Sequence, residues 1–159
     1  MKISVFAVGK VKEKFFVQAI QEYAKRLGRY CKLELFEVAD EKTPDGAGEL
    51  LCSKIKEKEG ERLLAHIKDG MYVIALAIEG KERTSEELAD HLEKLNLQGE
   101  SHLVFVIGGS LGLSQAVMQR ADETLSFSKM TFPHQLMRVV LLEQIYRSFR
   151  IRKGEPYHK

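Results

Sequence analysis

The apolar positions along the chain change period repeatedly, and those changes mark out alternating strands and helices. Ile3 to Val8 is an apolar-rich run ending at Gly9, which predicts a first strand. Phe15, Phe16, Ala19, Ile20, Tyr23 and Leu27 then recur at helical spacing, with Gly28 as a stop. Leu33 to Val38 predicts a second strand, and residues 43–48 (TPDGAG) read as a turn-rich loop. Glu49 to Ile67 predicts a helix with Leu51, Ile55, Leu63, Leu64 and Ile67 inward.

Met71 to Ile78 is apolar throughout, as in a strand covered on both faces. Thr84 and Glu87 make a capping-box pattern for a helix to about Leu95. Leu103 to Ile107 predicts a buried strand that runs into Gly108, Gly109 and Gly112, and Ser114 can cap a short helix through Ala121. Thr124 to Phe127 predicts a last strand, and a final helix runs from about His134 to Arg150. The alternation gives an α/β fold: one domain over 1–159 with a mostly parallel sheet flanked by helices.

The final helix differs from the others. Leu136, Met137, Val139, Val140, Leu141, Leu142, Ile145, Tyr146 and Phe149 wrap nearly its whole circumference. Such a helix is either central or at a subunit interface, and the interface of a homodimer is the expectation.

Composition narrows the class. The chain of 159 residues is 44% apolar and 30% charged, which fits a globular domain. No apolar run approaches the roughly 18 residues of a membrane span, and the opening MKISVFAVGK is too short in its apolar part for a signal peptide. Cys31 and Cys52 are isolated, so neither a metal site nor a disulfide framework is expected, which points to the cytoplasm. Charge is unevenly placed. From Arg138 to Lys159 six Lys/Arg face two acidic residues, a balance of +4 that leaves −2 for the rest of a chain of net +2. A basic end on a near-neutral body suits a polyanionic partner.

The glycine loop after Ile107 excludes two nucleotide sites. It lacks the Gly-Lys-Ser/Thr ending of a P-loop, and it does not fit G-x-G-x-x-G. Its sequence VIGGSLGLS, the segment LSFSKMTFPHQLMRVVLLEQIYR and the terminal PYHK together resemble the SPOUT class of RNA methyltransferases. Within that class the whole chain is most similar to the small RlmH-type family, which methylates N3 of a pseudouridine in large-subunit (23S) ribosomal RNA.

The resemblance implies a trefoil knot over about 103–150, a basic tail over 151–159, and S-adenosylmethionine as cofactor without a metal. It implies a pocket from Leu76, Gly108 and the segment Phe127, Ser128, Lys129, Met130, Thr131 and Phe132. Some relatives carry an acidic residue in the glycine loop, where this chain has Ser110 and Leu111. The partners implied are 23S rRNA within the ribosome and a second copy of the chain, with no membrane.

Methylating a pyrimidine N3 requires removal of its proton or stabilisation of the anion. The candidates are His134, Glu143, Arg147, Tyr157 and His158. Glu143 and Arg147 stand at i,i+4, where a plain helix ion pair is the ordinary outcome. Tyr157 beside His158 suits holding and deprotonating a base, although a chain end is ordinarily frayed. Arg152, Lys153 and Lys159 are expected on phosphates. A non-enzymatic ribosome-binding factor is the alternative function, and a Rossmann-type nucleotide enzyme the weaker third.

Overall fold

The computed structural model describes residues 1–159. Five strands and five helices follow in the order β1 (Lys2–Val8), α1 (Lys14–Leu27), β2 (Lys32–Val38), α2 (Glu49–Leu64), β3 (Tyr72–Glu82), α3 (Ser85–Leu97), β4 (His102–Ile107), α4 (Gln115–Arg120), β5 (Glu123–Ser126) and α5 (His134–Arg152). The strands form one sheet in the order β2-β1-β4-β3-β5, and every pairing is parallel. The alternating architecture is that expected from the sequence.

Strand periodicity divides the core in two. Ile3, Val5 and Ala7 of β1 join Leu103, Phe105 and Ile107 of β4 on the face covered by α1, α3 and α5. Phe6 and Val8 join Val104 and Val106 on the face covered by α2 and α4, through Leu63 and Val117. The central strands are therefore apolar on both faces because both are roofed. The Thr84 capping box is present, with Glu87 N–H donating to Thr84 Oγ1 and Thr84 N–H to the Glu87 carboxylate.

Three expectations need correction. α2 stops at Leu64, leaving Ile67 beyond its end. Leu51 faces solvent, 42% exposed, because the inward stripe of α2 passes instead through Ile55, Glu59, Gly60 and Leu63. The third concerns α5. Leu141, Leu142, Ile145, Tyr146 and Phe149 are buried within the single chain, where α5 packs on α1 and α3 over the sheet. The apolar circumference is thus mostly a central-helix feature, and only Leu136, Met137, Val139 and Val140 remain half-covered.

One irregularity shapes the functional end of the sheet. β3 runs to Glu82, past its expected end at Ile78, but its pairing with β5 slips midway. Leu125 is paired first with Leu76 and then with Lys81, so the residues between them bulge out of the ladder. Gly80 permits the slip: an added Cβ would lie 2.9 Å from the Leu125 backbone.

Leu141 provides a direct test of the central placement of α5. It is fully buried, so Leu141→Ala should lower the unfolding free energy by about 2–5 kcal/mol in urea titrations. An effect below about 1 kcal/mol would contradict that placement.

Candidate active site

The C-terminal ends of β3, β4 and β5 open onto a cleft of about 760 Å³. The β3 bulge gives one wall (Leu76, Ala77, Ile78, Glu79), and the loop after β4 a second, from Gly108 to Leu113. The chain after β5 and the start of α5 close the third side. Seven of the eight expected pocket residues line this cleft: Leu76, Gly108, Phe127, Ser128, Met130, Thr131 and Phe132. Lys129 does not. It is exposed and does not line the cleft, although its neighbours Ser128 and Met130 do. This segment is fixed by Ser126 Oγ donating to Ser128 O at 3.1 Å and Met130 N–H to Ser128 Oγ at 3.0 Å.

Gly108 is required for a different reason from ligand approach. The glycine loop folds back on itself, with Gly112 N–H donating to Gly109 O at 3.1 Å. An added Cβ at Gly108 would lie 2.6 Å from the Gly112 carbonyl carbon. Gly112 itself has φ of 90°, a conformation that favours glycine. The loop is therefore held by its own backbone, which leaves its outer edge to the cleft.

A buried carboxyl stands behind this loop. Glu59 of α2 accepts from Glu41 N–H through Oε2 at 3.0 Å, while its buried Oε1 has no partner. An added Cβ at Gly109 would sit 3.2 Å from that Oε1. Burial raises the Glu59 carboxyl above the usual carboxylate range, and Asp40 adds to the effect. Next along α2, Gly60 leaves room for Ser114, whose Oγ caps α4 by accepting from Val117 N–H at 3.3 Å.

His134 lines the cleft at the first turn of α5, with its buried Nδ1 unpaired. Burial lowers its affinity for a proton, and neighbouring Arg138 lowers it further. Arg138 is itself buried and donates to Val8 O at 2.9 Å, Gly9 O at 2.7 Å and Glu37 at 2.5 Å. These bonds fix the start of α5 against the ends of β1 and β2.

The other four catalytic candidates meet in one cluster, away from the cleft walls of their own chain. Glu143 accepts from Arg147 at 2.5 Å, and Tyr157 Oη donates to the same Glu143 oxygen at 3.1 Å. The Arg147 guanidinium lies 4.7 Å from the centre of the Tyr157 ring and donates to His158 Nδ1 at 3.1 Å. A guanidinium can only donate, so Nδ1 accepts, and His158 Nε2–H donates to Glu86 at 2.5 Å. Burial and Glu143 push the Tyr157 phenol up to about 12, which keeps it a donor at neutral pH.

The tail is thus docked rather than frayed. Arg150 and Tyr30 secure it further by holding Glu155, with Arg150 Nη1 at 2.6 Å and Tyr30 Oη at 3.0 Å. Glu86 escaped the sequence reading because it meets His158 across 72 positions of chain. Glu79 also escaped, as the one carboxylate among the cleft residues. Nothing in its spacing marks the bulge that turns it there.

The basic tail is not what its charge suggested. Arg152, expected on a phosphate, has a side chain only 9% exposed and pairs with Glu93 at 3.0 Å. Its guanidinium lies 4.2 Å from the centre of the Phe149 ring. Lys153 and Lys159 are exposed. No group of three or more His, Cys, Asp or Glu side chains is placed to hold a metal ion, and no helix is long and apolar enough to cross a membrane.

Comparison with known proteins agrees with this geometry. The family model described as a predicted SPOUT methyltransferase matches residues 1–158. A ribosomal RNA large subunit methyltransferase H of Bifidobacterium adolescentis is 64% identical over 159 residues, covering 100% of both chains. Two Clostridium perfringens proteins, named ribosomal RNA large subunit methyltransferase H 1 and H, are each 61% identical over the same full length.

The buried Glu59 predicts a pH dependence of stability. Its folded-state pKa lies above the unfolded value, so its ionised form is the disfavoured one in the fold. Wild type should lose stability as pH rises from the unfolded carboxylate range through the folded pKa. Glu59→Gln keeps an acceptor for Glu41 N–H but cannot ionise. Its unfolding free energy relative to wild type should therefore increase as pH rises above the usual carboxylate range in chemical denaturation. A difference independent of pH would contradict the assignment.

Proposed function

The chain belongs to the SPOUT methyltransferase family, and from that premise we propose that it methylates N3 of a pseudouridine in large-subunit ribosomal RNA, acting on ribosomes as a homodimer. The observation that carries the reading is the convergence of three strand ends on one cleft of about 760 Å³, within the size range of small-molecule sites. The relatives named for large-subunit rRNA methylation support the substrate class. Membership implies that about 103–150 is threaded as the knot and that 151–159 is its tail.

S-adenosylmethionine, when bound, supplies a methyl group on a positively charged sulfur. The cleft suits it by the chemistry of its walls. Backbone groups at the ends of β3 and β4 offer donors and acceptors, Phe127, Met130 and Phe132 offer apolar surface, and Glu79 adds a charge opposite to the donor's. The unpaired His134 Nδ1 is a further polar atom for the ligand to satisfy.

The chain's remaining task is to place the pyrimidine in line with the methyl carbon and remove the N3 proton. His158 takes that proton at Nδ1, exchanging Arg147 for the substrate. Arg147, still held by Glu143, compensates the anionic ring, and Tyr157 holds it in place. Met137 lines the cleft while Glu143 stands six residues further along α5, about 9 Å up its axis. A second copy brings the tail cluster over the cleft, and the half-covered Leu136, Val139 and Val140 belong to the contact between copies.

Incubation with labelled S-adenosylmethionine and ribosomes should label large-subunit rRNA, and unlabelled rRNA would overturn the reading. Deleting Tyr157 to Lys159 should leave donor affinity within about twofold, because the cleft walls are built from residues upstream of the tail, and lower methyl transfer by about 10²–10⁴. Gly108→Ala should act oppositely. Its Cβ forces the loop open at a cost of about 1–3 kcal/mol, so calorimetry should show weakened donor binding in a folded protein.

A further inference from the structure

We propose that the rim of the cleft formed by residues 9–12 and 128–132 is the surface that grips the RNA, with Lys10, Lys12 and Lys129 on phosphates and Met130 and Phe132 against an unstacked base. The inference rests on ribosomal RNA being the substrate and assigns the residues that hold it.

The first rim segment leaves β1 alongside the start of α5. An added Cβ at Gly9 would lie 3.6 Å from His134 Cε1, and Lys12 N–H donates to Gln135 Oε1 at 3.2 Å. His134 lines the cleft, so these contacts bring Lys10 and Lys12, both exposed, beside a residue of the cleft wall, while Val11 between them lines a second cavity against α1 and β2. Lys129 is exposed between Ser128 and Met130, both of which line the cleft. None of these three lysines is in an ion pair.

Some nearby acids are engaged. Glu37 is held by Arg138 and by Val11 N–H, and Glu41 by Arg62 and Lys58. Glu13, Asp40 and the cleft-lining Glu79 remain outside any ion pair, as do Lys42 and the cleft-lining Lys56. At the basic end of the chain Arg138, Arg147, Arg150 and Arg152 are all paired with carboxylates, which leaves only Lys153 and Lys159 free there. An unpaired lysine meeting a phosphate releases a counterion, so the rim is where salt-dependent binding arises.

The rim also exposes large apolar groups. Met130 is 73% and Phe132 37% exposed at the mouth of the cleft. A base turned out of an RNA loop stacks on such a surface, while flanking lysines hold the backbone on either side. That arrangement fits an RNA loop presenting one extruded base better than an intact duplex.

The test compares wild type with a Lys10→Ala/Lys12→Ala/Lys129→Ala variant, checked for fold by circular dichroism. S-adenosylmethionine affinity should stay within about twofold, since none of the three lines the cleft. The KM for ribosomes at moderate salt should rise by about 10–100-fold. The slope of log affinity against log salt should fall in magnitude by about two to three, near one for each phosphate no longer neutralised. Replacing the same lysines by arginine should restore binding. An unchanged KM and slope in a variant of an enzyme that methylates ribosomes would overturn the inference, as would losses confined to Lys153→Ala. Wild type that methylates no ribosomal RNA would instead remove the reading on which the inference rests.

Discussion

The slipped pairing between β3 and β5 is the constraint on which the site depends. A parallel ladder in register would carry Ala77 to Gly80 straight along the sheet. Because Leu125 pairs with both Leu76 and Lys81, that segment is expelled toward the neighbouring loops. The expulsion creates a wall and delivers Glu79 to the cleft. It depends on backbone meeting backbone at Gly80, where any side chain would press on Leu125. Parallel strands also end together on one edge, so the loops after β4 and β5 reach the same place without special arrangement.

Buried charge is used here to fix segments that carry no regular structure. Arg138 satisfies two backbone carbonyls and a carboxylate, which ties the ends of β1 and β2 to α5. A buried guanidinium with three acceptors offsets much of its desolvation, while losing one partner would leave an uncompensated charge. Glu59 is the opposite case, with one oxygen bonded and the other unpaired behind the glycine loop. The ion pairs of the tail are less buried and individually weaker, but they share atoms: Glu143, Arg147, Tyr157, His158 and Glu86 form one chain of contacts.

Under the proposed function three surfaces would divide the work of the enzyme. The donor falls to the cleft, whose walls are mostly apolar with Lys56, Glu79 and His134 among them. The proton falls to the cluster of Glu143, Arg147, Tyr157 and His158 in the docked tail, and the polyanion to the exposed lysines proposed for the rim. The tail is held by its own chain through Glu86 and Arg147, and under the proposed function that order would lower the entropy lost on forming the reactive arrangement.

Much of this was legible in the chain itself. Strand and helix positions followed from apolar period, the α3 cap from Thr84 and Glu87, and the cleft-forming loops from VIGGSLGLS and LSFSKMTF in resemblance to a known family. Local pattern determines these because each depends on residues a few positions apart. The tertiary structure decided the rest. Leu51 had the spacing of a core residue, but nothing above it in space covered it. Arg152 had the charge of a phosphate ligand but met Glu93 and Phe149 from distant parts of the chain. The apolar circumference of α5 pointed to a subunit interface, and only packing on α1 and α3 gave Leu141 and Ile145 a central place instead. The roles of Gly108, Glu79 and Glu86 rest on approaches between segments set by the whole fold, and no local period encodes them.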